Sequence, residues 1–140
     1  MRPKRIYLDS NVFITIADAE IGRNVRGLFV EAAQFVDEVT RRKDIIVLSS
    51  WFFEEVMHRA HLGREEVLDY FNKNSLNFEV VDDKADFDFR HFRKIGLHFN
   101  DAVHVTIAIA SKCDCIVTFN IKDFEKAKDL IDIFEPADYH

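Results

Sequence analysis

Glycine, proline and cysteine are scarce in this sequence, and each scarcity excludes a class of protein. With only four Gly and two Pro in 140 residues, no linker, low-complexity tract or internal repeat divides the chain. We therefore expect one domain spanning residues 1–140. The two cysteines, Cys113 and Cys115, do not make a disulfide framework, and they lack the paired spacing or added histidines of a zinc site. We interpret them as reduced, buried thiols in a cytoplasmic protein.

Long apolar runs are missing as well. The first ten residues are charged and lead into an apolar segment of four residues, which is too short for a signal peptide. No stretch approaches the length of a membrane span. We therefore expect a protein without a membrane partner.

Positive charge is in deficit, with 19 basic residues against 25 acidic ones and a net charge of −6. This balance argues against broad electrostatic capture of nucleic acid. However, carboxylates gathered for metal binding raise the acidic count, and the bound cations restore positive charge locally. The charge lowers the expectation of a nucleic-acid substrate without excluding a nuclease.

The hydrophobic pattern predicts the fold. Apolar runs at residues 5–8, 45–48, 77–81, 115–119 and 130–134 predict five strands. Between them, residues 21–39, 51–60, 65–71, 84–95, 102–110 and 124–129 predict helices. Strands that alternate with helices predict an α/β protein of three layers (α/β/α), with a mostly parallel central sheet of about five strands.

Acidic residues fall where such a sheet binds ligands, at the carboxyl ends of its strands. Asp9 closes the first predicted strand, Glu55 lies early in the helix after the second, and Asp123 follows the fourth. Asp101 opens the buried helix before the fourth strand and joins the others if that helix begins at the same edge. An all-oxygen cluster of this kind suits Mg²⁺ or Mn²⁺ better than zinc.

Each acid also has a simpler explanation. Asp9, Asp101 and Asp123 could each cap a helix. Glu55 has the spacing for an ion pair with Arg59 on a solvated helix face. Four uncompensated carboxylates at one edge of a sheet would repel one another, however, and a divalent cation removes that penalty.

Three segments resemble the motifs of the PIN domain family. Residues 6–14 resemble its opening motif, residues 100–104 its second motif and residues 117–124 its closing motif. The order, the spacing and the chain length all match, so the resemblance spans nearly the whole sequence. Within the family, the compact size looks most like the VapC toxins of type II toxin–antitoxin pairs.

The resemblance implies an endoribonuclease that uses Mg²⁺ or Mn²⁺ to hydrolyse RNA phosphodiester bonds. It also suggests a homodimer and a small antitoxin protein as a partner. Carried over by position, the implied site consists of four acids, Asp9, Glu55, Asp101 and Asp123, with Ser10, Asn11, Thr118 and Asn120 in support. Asp9 and Asp101 would be the central metal ligands, while Ser10 and Thr118 would orient ligands or water.

Two positions leave this assignment open. Glu54 is a rival to Glu55 because the two are adjacent. Many relatives carry an Asp where this chain has Asn120, so the fourth acidic role shifts to Asp123. His104 lies one turn after Asp101, and we interpret it as a core histidine bonded to a neighbour, because the rest of its helix is so apolar.

Other functions remain as alternatives. A phosphatase of the haloacid dehalogenase type needs Asp-x-Asp after its first strand, and the third position here is Asn11. A dinucleotide-binding domain needs a glycine-rich first turn, which this chain lacks. A PIN fold that binds RNA or protein without cleavage is a more serious rival, as is a PIN nuclease that processes RNA and is not a toxin.

Overall fold

The sheet is built from short strands, and the three central ones are largely buried. The computed structural model describes residues 2–20, 28–81 and 90–140. Within these ranges the strands are β1 Arg5–Leu8, β2 Ile45–Leu48, β3 Asn77–Val80, β4 Cys115–Val117 and β5 Asp132–Phe134. Their order in the sheet is β3-β2-β1-β4-β5, and every neighbouring pair is parallel.

Strand β1 lies at the centre of the sheet and pairs with both β2 and β4. The chain leaves β1 for β2 and β3 on one side, then crosses to β4 and β5 on the other. The strand order therefore reverses between β1 and β4, and ligands of parallel sheets bind at such a point. Asp9 follows β1 directly and Thr118 follows β4 directly, so both lie there.

Helices cover both faces of this sheet. They are α1 Ser10–Glu20, α2 Leu28–Arg42, α3 Ser50–Ala60, α4 Arg64–Lys73, α5 Arg90–Lys94, α6 Phe99–Ala110 and α7 Ile121–Phe124, with 3-10 turns at Glu125–Ala127 and Pro136–Asp138. Helices α1 to α4 share one hydrophobic core, and α5 to α7 share a second on the opposite face. The expected three-layer α/β/α fold is confirmed. None of the helices in the described ranges is long and apolar enough to cross a membrane.

The side chains of β1 divide between the two cores. Ile6 and Leu8 pack with α1 to α4, whereas Tyr7 lies in the core beneath α6. All three are at most 2% exposed. A central parallel strand covered on both faces accounts for the unbroken apolar run in the sequence.

Two helix ends carry the residues that such ends favour. Helix α3 begins at Ser50, and the hydroxyl of Ser49 accepts a hydrogen bond from the Phe52 N–H at 3.1 Å, as a helix cap does. Gly96 follows α5 with φ of 103°, a left-handed conformation that favours glycine at a helix end.

Other boundaries differ from the sequence-based prediction. Helix α1 was not predicted, because residues 12–17 are apolar or β-branched on nearly every side and give no helical period. The last helix begins at Ile121, earlier than predicted, and β5 begins at Asp132. The predicted helices at 21–39 and 84–95 lie partly outside the described residues, and the described parts are α2 and α5.

Candidate metal centre

Asp9 is held between the two central strands. Its backbone N–H donates to the Val117 carbonyl at 3.0 Å, and its Oδ2 accepts a 2.7 Å hydrogen bond from the Thr118 hydroxyl. The Asn120 N–H donates to the same hydroxyl oxygen at 2.9 Å, which leaves the hydroxyl proton of Thr118 for Asp9. The carboxylate is only 9% exposed and is therefore fixed before any ligand arrives.

Glu55 reaches the same place from α3. Its Oε1 lies 3.2 Å from the hydroxyl oxygen of Ser10, which donates to it, and 2.7 Å from Nε2 of His104. The neighbouring Glu54 is exposed instead. Of the two adjacent glutamates, Glu55 is therefore the one that joins the cluster.

His104 and Tyr7 form a buried extension of this cluster. Nδ1 of His104 lies 2.6 Å from the hydroxyl oxygen of Tyr7, and that oxygen lies 3.0 Å from the hydroxyl of Ser49. The His104 side chain is 3% exposed and Tyr7 is fully buried. The interpretation of His104 as a bonded core histidine is confirmed, and one of its partners is a carboxylate of the candidate site.

The acids approach one another closely enough to influence each other's ionisation. One ligand atom from each of Asp9, Glu55 and His104 lies within 4.8 Å of the others. Burial, with a smaller effect from the charge of Glu55, raises the pKa of Asp9 in spite of the Thr118 hydrogen bond. Burial would lower the pKa of His104, but the hydrogen bond and charge of Glu55 outweigh it and raise that pKa.

Asp101 and Asp123 lie outside that three-residue group, but Asp101 is close enough to be affected by the charges of Asp9 and Asp123. Burial raises the pKa of Asp101 to about 6, and the negative charges of Asp123 and Asp9 contribute further. Asp101 is half-buried in the first turn of α6, whereas Asp123 is exposed in α7. The structure therefore brings Asp9 and Glu55 together with His104, and it places Asp101 near enough to Asp123 and Asp9 for their charges to raise its pKa.

The donor set fits a hard divalent cation. Carboxylate oxygens are the preferred ligands of Mg²⁺ and Mn²⁺, and Asp9 and Glu55 each offer one within 4.8 Å of the other. Two unit negative charges about 5 Å apart repel by about 3 kcal/mol at an effective dielectric constant of about 20. A bound cation would remove this repulsion and so favour the ionised form of every acid in the cluster.

Of the simpler explanations of the acids, the structure supports only helix capping by Asp9. The residue that precedes α6 is His98 and the residue that precedes α7 is Asn120, so neither Asp101 nor Asp123 is a helix cap. Among the described residues, no ion pair joins Glu55 to Arg59. Asp9 does stand at the start of α1 and accepts a hydrogen bond from the Asn11 N–H, so it combines a capping position with its place in the cluster.

The proposed supporting residues Asn11 and Asn120 both contact Thr118. The Asn11 side chain donates to the Thr118 hydroxyl at 3.5 Å and accepts from the Phe119 N–H at 3.4 Å. Asn120 contributes its backbone N–H, while its side chain is exposed. Sequence reasoning missed Tyr7, although a tyrosine within a strand buried on both faces needs a partner for its hydroxyl.

Comparisons with known proteins agree with this fold. The family model described as PIN domain matches residues 6–130. A solved structure, VapBC2 from Rickettsia felis bound to a DNA fragment from their promoter, contains a similar chain with a TM-score of 0.64 and 20% sequence identity. The similarity covers 94% of this chain and 97% of that one, and at this identity it shows a shared fold. No curated protein matches the sequence significantly.

The raised pKa of Asp101 predicts how the metal-free protein responds to pH. An acid whose pKa is higher in the folded state than in the unfolded state opposes folding once it is ionised. Stability from this group is therefore complete below its usual pKa of 3.8 and is lost as pH rises through about 6. In EDTA at pH 7.5, Asp101→Asn should unfold at a higher denaturant concentration than wild type, and the difference should shrink at pH 5.

Asp114→Asn provides the matched control at the opposite edge of the sheet. Although burial opposes it, hydrogen bonds from the Arg2 side chain and the Arg5 backbone lower the pKa of Asp114. Its stabilising effect is present above the usual pKa and is lost as pH falls, so this variant should be less stable than wild type at pH 7.5. If Asp101→Asn were also less stable than wild type, the electrostatic account of the cluster would be wrong.

Proposed function

The chain belongs to the PIN domain family, and on that basis we propose that it is an endoribonuclease that hydrolyses RNA phosphodiester bonds with Mg²⁺ or Mn²⁺. PIN domains are generally metal-dependent nucleases. The observation that carries the proposal is the close approach of Asp9 and Glu55 at the point where the strand order reverses, with Asp101 near enough for the charge of Asp9 to raise its pKa. A purely structural site would have little reason to retain mutually repelling carboxylates there.

Each side chain has a role that follows from its position. Asp9, Glu55 and Asp101 would bind the cation directly, and Asp123 at the rim would add negative charge and help to bind it. When bound, the cation would polarise the phosphate and lower the pKa of a coordinated water. Water would add to phosphorus as the bond to the leaving oxygen breaks, a carboxylate of the cluster would accept the water's proton, and no covalent enzyme intermediate would form.

The hydroxyls beside the acids support this division of roles. Ser10 donates to Glu55 and Thr118 donates to Asp9, so both hydroxyl protons are committed to carboxylates. A hydroxyl held by a carboxylate can be activated as a nucleophile, but the proposed hydrolysis by water needs no such group. These residues instead hold Asp9 and Glu55 in position for binding.

We further propose that the protein is a cytoplasmic toxin of a type II toxin–antitoxin pair. The VapBC2 chain resembles this chain over nearly the full length of both, which agrees with the compact architecture of such toxins. The proposed assembly is a homodimer with a small antitoxin that places a basic side chain against the acidic cluster. A role in RNA processing would use the same chemistry, but it would require no antitoxin.

The cleavage proposal predicts different results for two adjacent glutamates. Wild type should cleave structured RNA in Mn²⁺, and EDTA should abolish cleavage. Glu55→Gln removes a ligand charge at constant size, so activity should fall by at least about 100-fold, the upper end of the losses seen for outer-shell partners. Glu54→Gln makes the same chemical change at the exposed adjacent residue, and the activity of this variant should stay within about twofold of wild type.

The cleavage assay also distinguishes the non-cleaving alternative. If wild type binds RNA but does not cut it in Mn²⁺, the chain is a PIN-fold binding module. If Glu54→Gln and Glu55→Gln lose activity equally, the assignment of Glu55 is wrong.

The partner proposal predicts the mass of the particle in solution. At micromolar concentration, light scattering should give twice the mass of the 16.4 kDa chain. The protein encoded beside this chain should bind tightly and inhibit RNA cleavage. A monomer would contradict the dimer, while failure of the neighbouring protein to bind or inhibit would contradict the toxin assignment and leave the nuclease proposal standing.

A further inference from the structure

We propose that Ser49, Tyr7 and His104 form a buried positioning chain that turns one oxygen of Glu55 toward the cation, and that His104 is not itself a metal ligand. The inference rests on the proposed function, because it concerns the same metal centre. It assigns these three residues a role in orienting a ligand.

The first step is the proton on His104. Its Nε2 lies 2.7 Å from Oε1 of Glu55, inside hydrogen-bond distance. If Nε2 carried no proton, its lone pair would face the lone pairs of a carboxylate oxygen at this distance. Nε2 therefore carries a proton that it donates to Glu55, and a protonated ring nitrogen cannot ligate a metal.

The second step is the hydroxyl of Tyr7, which holds the other side of the imidazole. When His104 is neutral with its proton on Nε2, Nδ1 accepts from the Tyr7 hydroxyl 2.6 Å away, and when the ring is protonated Nδ1 donates to the same oxygen, so the bond is kept in both states. Tyr7 is fully buried and His104 nearly so. Because little water can replace a lost partner there, this hydrogen bond selects the orientation of the ring.

The third step is the hydrogen bond that connects Tyr7 to Ser49, at the start of the helix that carries Glu55. When the Tyr7 hydroxyl donates its proton to His104, its oxygen accepts a hydrogen bond from the Ser49 hydroxyl at 3.0 Å. The Ser49 oxygen in turn accepts the Phe52 N–H and so caps α3. The start of α3 and the carboxylate of Glu55 are thus connected through β1 and α6, which fixes the three elements relative to one another.

The result of this arrangement is an asymmetric carboxylate. The hydrogen bonds from His104 and Ser10 both end on Oε1 of Glu55. In the parts of the chain that the structure describes, none ends on Oε2. Oε2 is therefore the oxygen available to a cation, and the positioning chain of Ser49, Tyr7 and His104 determines which way it points.

The test uses two buried tyrosines as a matched pair. Tyr7→Phe removes only the hydroxyl bonded to His104 and Ser49. Tyr139→Phe removes a hydroxyl that donates to Asp44, which precedes β2 at the opposite edge of the sheet. By calorimetry with Mn²⁺, Tyr7→Phe should weaken binding by about tenfold, as loss of an outer-shell partner does. Tyr139→Phe should lower the melting temperature and leave Mn²⁺ affinity as in wild type.

Kinetics and a conservative substitution distinguish positioning from general damage. Higher Mn²⁺ should restore the kcat of Tyr7→Phe toward the wild-type value with little change in KM for RNA, because only the occupancy of the cation site is impaired. His104→Gln keeps an N–H donor near the position of Nε2 and should retain most of the Mn²⁺ affinity. His104→Leu has no donor and should bind Mn²⁺ at least about tenfold more weakly than wild type.

Each outcome supports or overturns the inference. Nitrogen NMR of the metal-free wild type should show the His104 proton on Nε2. A proton-free Nε2 would remove the proposed donor, and equal losses of affinity in His104→Gln and His104→Leu would show that an N–H donor at this position has no effect, so either result would overturn the inference. Wild-type Mn²⁺ affinity in Tyr7→Phe would also overturn it while leaving the nuclease proposal intact. A wild type that binds no Mn²⁺ at millimolar concentration would overturn both.

Discussion

Carboxylates that lie close together and are shielded from water repel one another. The rest of this molecule depends on that constraint. Asp9 is almost fully buried, and Glu55 and Asp101 add negative charge beside it. A folded chain can keep such a group only if something offsets the repulsion. Here hydrogen bonds from the surrounding residues offset part of it, and a divalent cation would offset the remainder.

The sheet topology creates this constraint, and the residues around the site limit its effect. Because β1 lies between β2 and β4, the loops after β1 and β4 emerge side by side, and α3 starts from the adjoining strand end. Thr118 donates to Asp9, while Ser10 and His104 donate to Glu55. These donors order the oxygens before a ligand binds, which is the preorganisation that metal-assisted hydrolysis requires.

The sequence predicted the carboxylates better than it predicted their partners. The apolar runs located β1 and β2, so the convergence of Asp9 and Glu55 followed from the parallel arrangement alone. The contact between Tyr7 and His104 could not be predicted in this way, because it joins residues 97 positions apart across a sheet and a helix. Helix α1 was missed for a local reason, since a segment that is apolar on nearly every side has no hydrophobic period.

The central claim is that the carboxylates bind a divalent cation while His104 only orients one of them. A crystal structure of the wild type grown in Mn²⁺, with anomalous scattering recorded at the manganese edge, tests it most directly. The account predicts an anomalous peak bound by oxygens of Asp9 and Asp101 and by Oε2 of Glu55, with Nε2 of His104 still bonded to Oε1. A peak ligated by His104, or no peak at the carboxyl ends of β1 and β4, would contradict it.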